Sequence, residues 1–133
     1  MSEPEWIDDR EAVAIHERAV WQFGGLAGGV RDDNLFKAAL ARPLNKWHYE
    51  EPRPDLFALA AAYCFGIAKG HVFHDGNKRT AHAVAAIFLE NNGHSHLAAE
   101  AEVVTTMIAA ADGSISESEL TRWFRETSRP AAD

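Results

Sequence analysis

Ala12, Ile15, Ala19 and Phe23 recur at three- and four-residue intervals and then meet Gly24-Gly25. That spacing lines one face of an amphipathic helix, and the paired glycines end it. Gly28-Gly29 and Asp32-Asp33 predict a loop, followed by a short helix carrying Leu35, Phe36, Ala39 and Leu40. Arg42-Pro43 predicts its end, because a residue before proline is pushed out of the helical region. The stretch from Pro43 to Pro54 mixes polarity around three prolines, Pro43, Pro52 and Pro54, and reads as an exposed loop or flap.

The pattern then strengthens. Asp55 is a good N-cap, and Leu56, Leu59, Ala60, Tyr63 and Ile67 mark one buried face of a helix reaching about Lys69. After a short loop at 70–76, a further helix begins near Asn77. Its face is Ala81, Val84, Ala85, Phe88 and Leu89, and Asn92-Gly93 supplies the stop. Ala101, Val104, Thr105, Ile108 and Ala109 predict another helix, broken at Asp112-Gly113. The last opens on the capping-box string Ser116-Glu117-Ser118-Glu119 and buries Leu120, Trp123 and Phe124. Short segments such as Gly93–Leu97 are the only room for strands. The expected fold is all-α, a helical bundle with the 70–76 loop between its two most apolar helices.

Composition narrows the function. The 133 residues suit one domain, 1–133, and 47% apolar with 25% charged residues is ordinary globular chemistry. A net charge of -7 argues against direct nucleic-acid binding, which depends on neutralising phosphates. No apolar run approaches the roughly 20 residues that span a bilayer, so no membrane association is expected. The acidic N-terminus lacks the apolar core of a secretory signal. Cys64 stands alone in an apolar helical stretch, which fits inert burial and a reducing, cytoplasmic setting.

The loop between the two apolar helices carries the candidate chemistry. Gly70-His71-Val72-Phe73-His74-Asp75-Gly76-Asn77-Lys78-Arg79 gathers imidazole, carboxylate, amide and two cations. His71 closes one helix and can serve as a general base near neutral pH. Phe73 can anchor the loop to the core. Asp75 is a hard oxygen ligand of the kind Mg²⁺ takes when it also binds substrate phosphates. Gly76 admits close approach of a ligand. Asn77 to Arg79 form a helix's first turn, whose unpaired N–H groups and positive dipole end favour an anion. Lys78 and Arg79 add charge for phosphate. Together they suit transfer of a phosphate-containing group to a hydroxyl.

These residues also resemble a family. His71 to Ala81, His-Val-Phe-His-Asp-Gly-Asn-Lys-Arg-Thr-Ala, is similar to the Fic/Doc signature in its Doc form. The general Fic motif is His-Pro-Phe-x-(Asp/Glu)-Gly-Asn-Gly-Arg-x-x-Arg. This chain departs from it at Val72, at Lys78 in place of glycine, and at His82 in place of the second arginine. Similarity extends to Gly29–Asp32, Ala39–Pro43 and Leu59–Tyr63, so residues of about 6–126 fall within it. The resemblance implies the Fic fold and a toxin of a type II toxin–antitoxin pair. It further implies a protein kinase using ATP and Mg²⁺, with a threonine of elongation factor Tu as target and translation as the process stopped. On that basis His71 is the base and Asp75 the metal ligand, while Gly76, Asn77, Lys78 and Arg79 form the phosphate site. Fic enzymes commonly carry a restraining Ser/Thr-x-x-x-Glu-Gly/Asn helix. That string is missing here, so a separate cognate antitoxin is expected to restrain the toxin.

Plainer readings compete at each position. His71 in isolation suits a helix C-terminus, Asp75 suits an N-cap, and Lys78 and Arg79 suit a solvated surface. His16 shares the apolar face of its helix and reads as a hydrogen-bonded core histidine. His94-x-His96 offers a metal pair with no third ligand. Trp6, Trp21 and Trp123 read as core or rim packing, whereas Trp47 in the flap is a candidate for docking a target. A P-loop is excluded by spacing, since five residues separate Gly70 from Gly76 and Asn77 intrudes before the lysine. Besides a non-catalytic binding module, two other functions stay open. One is AMP transfer of the Fic type. The other is an HD-type metal phosphohydrolase with His71, His74 and Asp75 as ligands, joined by His48 and Asp112.

Overall fold

The computed structural model describes residues 2–25 and 28–132. Among them the chain forms six helices and one very small sheet. In order these are α1 (Asp9–Phe23), α2 (Asp33–Tyr49), α3 (Leu56–Gly70), α4 (Asn77–Asn91), β1 (His94–His96), α5 (Glu100–Asp112), α6 (Glu117–Glu126) and β2 (Ser128–Pro130). The fold is the expected all-α bundle.

α3 is its axis. Leu59 through Cys64, Ile67 and Ala68 are buried nearly all round the helix, and α2, α4, α5 and α6 pack against it. A helix apolar on every side must be enclosed by others. Phe73, Phe88, Leu89, Leu120 and Phe124 complete the core around it. Tyr63 ties the entering chain to this axis: its hydroxyl accepts from the Ile7 amide at 2.9 Å. Burial pushes that phenol up to about 12. Cys64 is fully buried against Met107, and burial raises its thiol well above the ordinary value, as inert burial requires.

The caps fall where the sequence places them. Asp55 accepts from the Ala58 amide, and Ser116 with Glu119 forms a complete capping box. Asp8 and Glu11 form a second one at α1. The Gly93–Leu97 region does hold a strand, which pairs antiparallel with 128–130 in the register His94↔Pro130 and His96↔Ser128.

Several expectations fail. Phe23 of the α1 stripe is exposed, and α5 buries Val103, Met107 and Ala110 while Val104 and Ile108 face outward. The segment 43–54 is not a flap, because α2 runs through Pro43 to Tyr49. An interior proline costs about 3 kcal/mol in lost hydrogen bonding and crowding. Pro43 and Trp47 are both buried on the α3 side of the helix, and burying a tryptophan of roughly 200 Å² is worth about 5 kcal/mol. Burial outweighs the local penalty. Trp47 therefore belongs to the core, edge-on to Trp6 with ring centres 6.2 Å apart and Arg53 stacked on its other side. Trp21 departs from the packing expectation in the other sense, since it is 87% exposed.

No described helix is long and apolar enough to cross a membrane.

Candidate active site

α3 delivers His71 to the loop in an unusual conformation. His71 caps the helix in the left-handed region, φ 49 and ψ 47, and is the sole non-glycine residue at positive φ among the described residues. A β-carbon there costs roughly 1–2 kcal/mol, which is why glycine ordinarily takes this position. Gly70 sits one residue too early to relieve it. The His71 carbonyl accepts a hydrogen bond from Arg31 Nε at 2.7 Å, and its side chain faces solvent.

The next residues fasten the loop down. Val72 and Phe73 are buried, and the 28–31 segment pairs alongside them. The Arg31 amide donates to the Val72 carbonyl at 2.9 Å, and the His74 amide donates to the Gly29 carbonyl at 3.2 Å. Gly28 eases this approach, since a β-carbon there would lie 3.0 Å from His74 Cβ.

Asn77 closes the turn from the other side. Its Oδ1 accepts from the Phe73 amide at 2.9 Å, and its Nδ2 donates to the Phe73 carbonyl at 3.0 Å. Both ends of the side chain are thereby used within the loop. What Asn77 can offer an anion is its backbone N–H.

Asp75 lies at the apex, exposed. Its carbonyl accepts from His16 Nε2 at 2.8 Å, and its own Oδ1 accepts from the Gly76 amide at 2.8 Å. Asp75 is therefore not the N-cap of α4. Gly76 holds that position at φ 76, with no side-chain cap, and a β-carbon on it would press to 3.2 Å from Val20. The first turn of α4 contains no acidic residue. Lys78 is exposed and carries no ion pair among the described residues. Arg79 is half-buried, paired to Glu100 at the start of α5 and stacked 4.1 Å from the Phe23 ring centre.

The structure thus joins Asp75, Gly76 and Asn77 into one hydrogen-bonded turn. His71 stands at its entry and Lys78 at its exit, while Arg79 is turned toward Glu100. His82, one turn further along α4, faces His96 with ring centres 4.9 Å apart and lies near Trp123. Burial pushes its pKa down to about 4, helped by His96 and Arg79 and opposed by Glu100. It supplies no positive charge to a phosphate at neutral pH.

Among the described residues, no group of three or more histidine, cysteine, aspartate or glutamate side chains is arranged to hold a metal. His48 stands exposed in the last turn of α2, and Asp112 is bound to Ser114. The ligand set of an HD-type phosphohydrolase is not assembled. His94 and His96 acquire no third ligand either. A single exposed carboxylate such as Asp75 is what Mg²⁺ uses when substrate phosphates fill most of its other positions. A cleft of about 820 Å³ between α2 and α6 shares no residue with the loop, and both Arg42 and Lys46 within it are paired to Glu117.

A sequence model of the Fic/DOC family matches residues 6–89, from just before α1 to the end of the apolar face of α4. The chain belongs to the Fic/DOC family. It is similar to the protein named Protein kinase doc of Escherichia phage P1, with 35% identity over 119 residues, covering 90% of this chain and 92% of that protein. It is also similar to Toxin Doc of Mycolicibacterium smegmatis (strain ATCC 700084 / mc(2)155), with 45% identity over 99 residues, covering 74% and 72% respectively. The family match contains the whole of the His71–Arg79 loop.

Three residues around this Fic/DOC loop escaped the sequence reading. His16 was expected to be a hydrogen-bonded core histidine, and it is, but its partner is the apex of the loop. Arg31 holds the His71 carbonyl, and Glu100 holds Arg79. Neither contact leaves a periodic signal, because each joins elements at least 21 residues apart. Gly28-Gly29 was the available hint that the chain passes close to something there.

Proposed function

We propose that this protein is an ATP-dependent protein phosphotransferase that acts as the toxin of a toxin–antitoxin pair. The observation that carries the reading is the start of α4: a helix N-terminus with no side-chain cap, no acid in its first turn and two cations, entered from a loop bearing His71 and Asp75. The N–H groups of its first turn and its dipole favour an anion, and a nucleotide's phosphates are the anion that also uses a carboxylate-held Mg²⁺.

In this reading Asn77 and Lys78 give backbone N–H groups to phosphate oxygens, Gly76, whose own N–H is held by Asp75, lets them approach the backbone closely, and Lys78 adds its ammonium. Arg79 exchanges Glu100 for phosphate. That ion pair is largely exposed and costs at most about 1 kcal/mol to exchange. Asp75 holds the metal, which supplies charge neutralisation on the phosphates when bound. His71 removes the proton from a hydroxyl of the target protein. The hydroxyl oxygen then bonds to the γ-phosphorus as the γ-phosphorus–oxygen bond to ADP breaks, and ADP leaves. A threonine of elongation factor Tu is the proposed acceptor, with arrest of translation as the result. A cognate antitoxin is the proposed restraint, since the chain has no Ser/Thr-x-x-x-Glu-Gly/Asn string.

Lys78 supports phosphoryl over AMP transfer. It stands where the Fic motif has glycine, and its bulk and charge fill space that a bare backbone leaves to the nucleotide. Incubation with a bacterial lysate and ATP labelled at the γ- or the α-position tests the reading. Label from the γ-position on a protein band supports phosphotransfer; label from the α-position would replace it with AMP transfer.

A further inference from the structure

His16 is 1% exposed, and its buried ring meets the loop at the Asp75 carbonyl and the Phe73 ring. We infer that His16 is a positioning residue, aiming the Asp75 carboxylate and the first amide groups of α4 through a single peptide plane. The inference rests on the phosphotransfer reading for what those groups are aimed at, and on geometry alone for the aiming.

A carbonyl oxygen only accepts, so the 2.8 Å contact between His16 Nε2 and the Asp75 carbonyl fixes the proton on Nε2. The Asp75–Gly76 peptide is planar and trans, so its C=O and N–H point in opposite directions. Holding the carbonyl inward against α1 turns the Gly76 N–H outward. There it donates to Asp75 Oδ1 at 2.8 Å. One rigid unit therefore links a buried imidazole to an exposed carboxylate.

The ring is anchored at the other side of the turn as well. It stacks on Phe73 with ring centres 3.9 Å apart and planes 3° from parallel. Phe73 is the residue whose backbone Asn77 clamps at both ends. α1 thus supplies a floor on which the turn from 73 to 77 rests, so closely that a β-carbon added at Gly76 would lie 3.6 Å from His16 Nε2.

Packing alone would choose a different residue. His16 Nδ1 is buried with no hydrogen-bond partner among the described residues, a penalty that a phenylalanine or leucine would avoid while filling the same space. The imidazole is worth its unsatisfied nitrogen only for what Nε2 does.

Two variants separate the roles. His16→Phe keeps the ring and the stack but removes the donor; His16→Gln restores an N–H donor without the ring. With labelled ATP, the phenylalanine variant is expected to need about tenfold more Mg²⁺ for half-maximal transfer and to lose ten- to a hundredfold in kcat. The glutamine variant is expected to recover most of that loss. Independently of activity, NMR of the wild-type ring should find the proton on Nε2 and none on Nδ1. Amide exchange at Gly76 and Asn77 should accelerate in the phenylalanine variant while the rest of α4 is unchanged. A folded phenylalanine variant with wild-type Mg²⁺ dependence and wild-type exchange overturns the inference, as does a ring protonated on Nδ1. Should that variant not fold, His16→Met and the ring tautomer carry the same decision. A wild-type protein that binds no nucleotide would end the phosphotransfer reading, yet the exchange and tautomer measurements would still judge His16.

Discussion

α6 and α4 begin in opposite ways. At α6, Ser116 accepts from the Glu119 amide at 3.0 Å, Glu119 accepts from the Ser116 amide at 2.9 Å, and Glu117 adds a second acid to the positive end of the dipole. At α4, the cap is a glycine with no side chain to offer, and the first turn carries Lys78 and Arg79. Capping is worth about 1 kcal/mol, and each cation at a helix N-terminus costs roughly 0.3–1 kcal/mol. α4 therefore forgoes roughly 1–3 kcal/mol that α6 secures. α5 also begins without a side-chain cap, at Ala99, but carries Glu100 and Glu102 in its first turn; among the described helices only α4 has neither a cap nor an acid there, and that is the place to look for an anion from outside.

Substitutions can break that contrast, beginning with the largest effect. His71→Gly should lower transfer about 10²- to 10⁴-fold, the usual loss of a general base. The same change removes a β-carbon from left-handed backbone, so thermal stability should hold or rise by up to about 1 kcal/mol. Calorimetry beside a transfer assay reads both; a glycine variant with near-normal turnover removes His71 from the chemistry.

Asn77→Ala comes next. It strips both hydrogen bonds from the Phe73 backbone and should cost roughly 1–3 kcal/mol in urea unfolding, along with activity. A variant as stable as the wild type would mean that the turn is held elsewhere.

Acid should act through the contact between the two helices. His82 of α4 lies near Trp123 of α6, facing His96 and Glu100, with Arg79 one turn before it. Its pKa falls from 6.5 in the unfolded chain to about 4 in the fold. A base depressed in this way contributes stability that is complete above pH 6.5 and is lost as pH falls toward 4, because the unfolded chain binds the proton first. His96, also lowered by burial, adds in the same direction. The full shift corresponds to roughly 3 kcal/mol, and solvent screening of the partly exposed ring reduces this to about 1–2 kcal/mol. Unfolding at pH 7.5 and 5.0 should show the loss, and His82→Leu should flatten it.

The smallest effect marks the other pole. Ser116→Ala should cost about 1 kcal/mol and leave transfer unchanged. Any drop in transfer beyond the unfolded fraction would tie α6 to the site and weaken the contrast.

The six helices were legible because their information is local. Apolar residues at three- and four-residue spacing, Asp55 and Ser116 before them, and glycine pairs after them act within one or two turns. The loop was legible as chemistry for a related reason, since His71, Asp75, Lys78 and Arg79 lie within nine positions. α2 shows the limit. Pro43 argues locally for a stop, and only the depth at which Pro43 and Trp47 are buried reverses it. The short strand at 128–130 was likewise invisible, because three residues form a strand only when a partner at 94–96 is brought to them.

What the sequence determined alone was the presence of the helices and the polar groups gathered in the loop between α3 and α4. Tertiary structure decided how those groups are held: His16 under the Asp75 carbonyl, Arg31 on the His71 carbonyl, Glu100 on Arg79. Each contact joins segments distant along the chain, and no residue pattern records which distant side chain will arrive. A hydrogen bond fixes direction to within a few tenths of an ångström, whereas hydrophobic spacing fixes only a face. The chemistry is therefore written along the chain, and its aim is set by the packing of α1, α4 and α5.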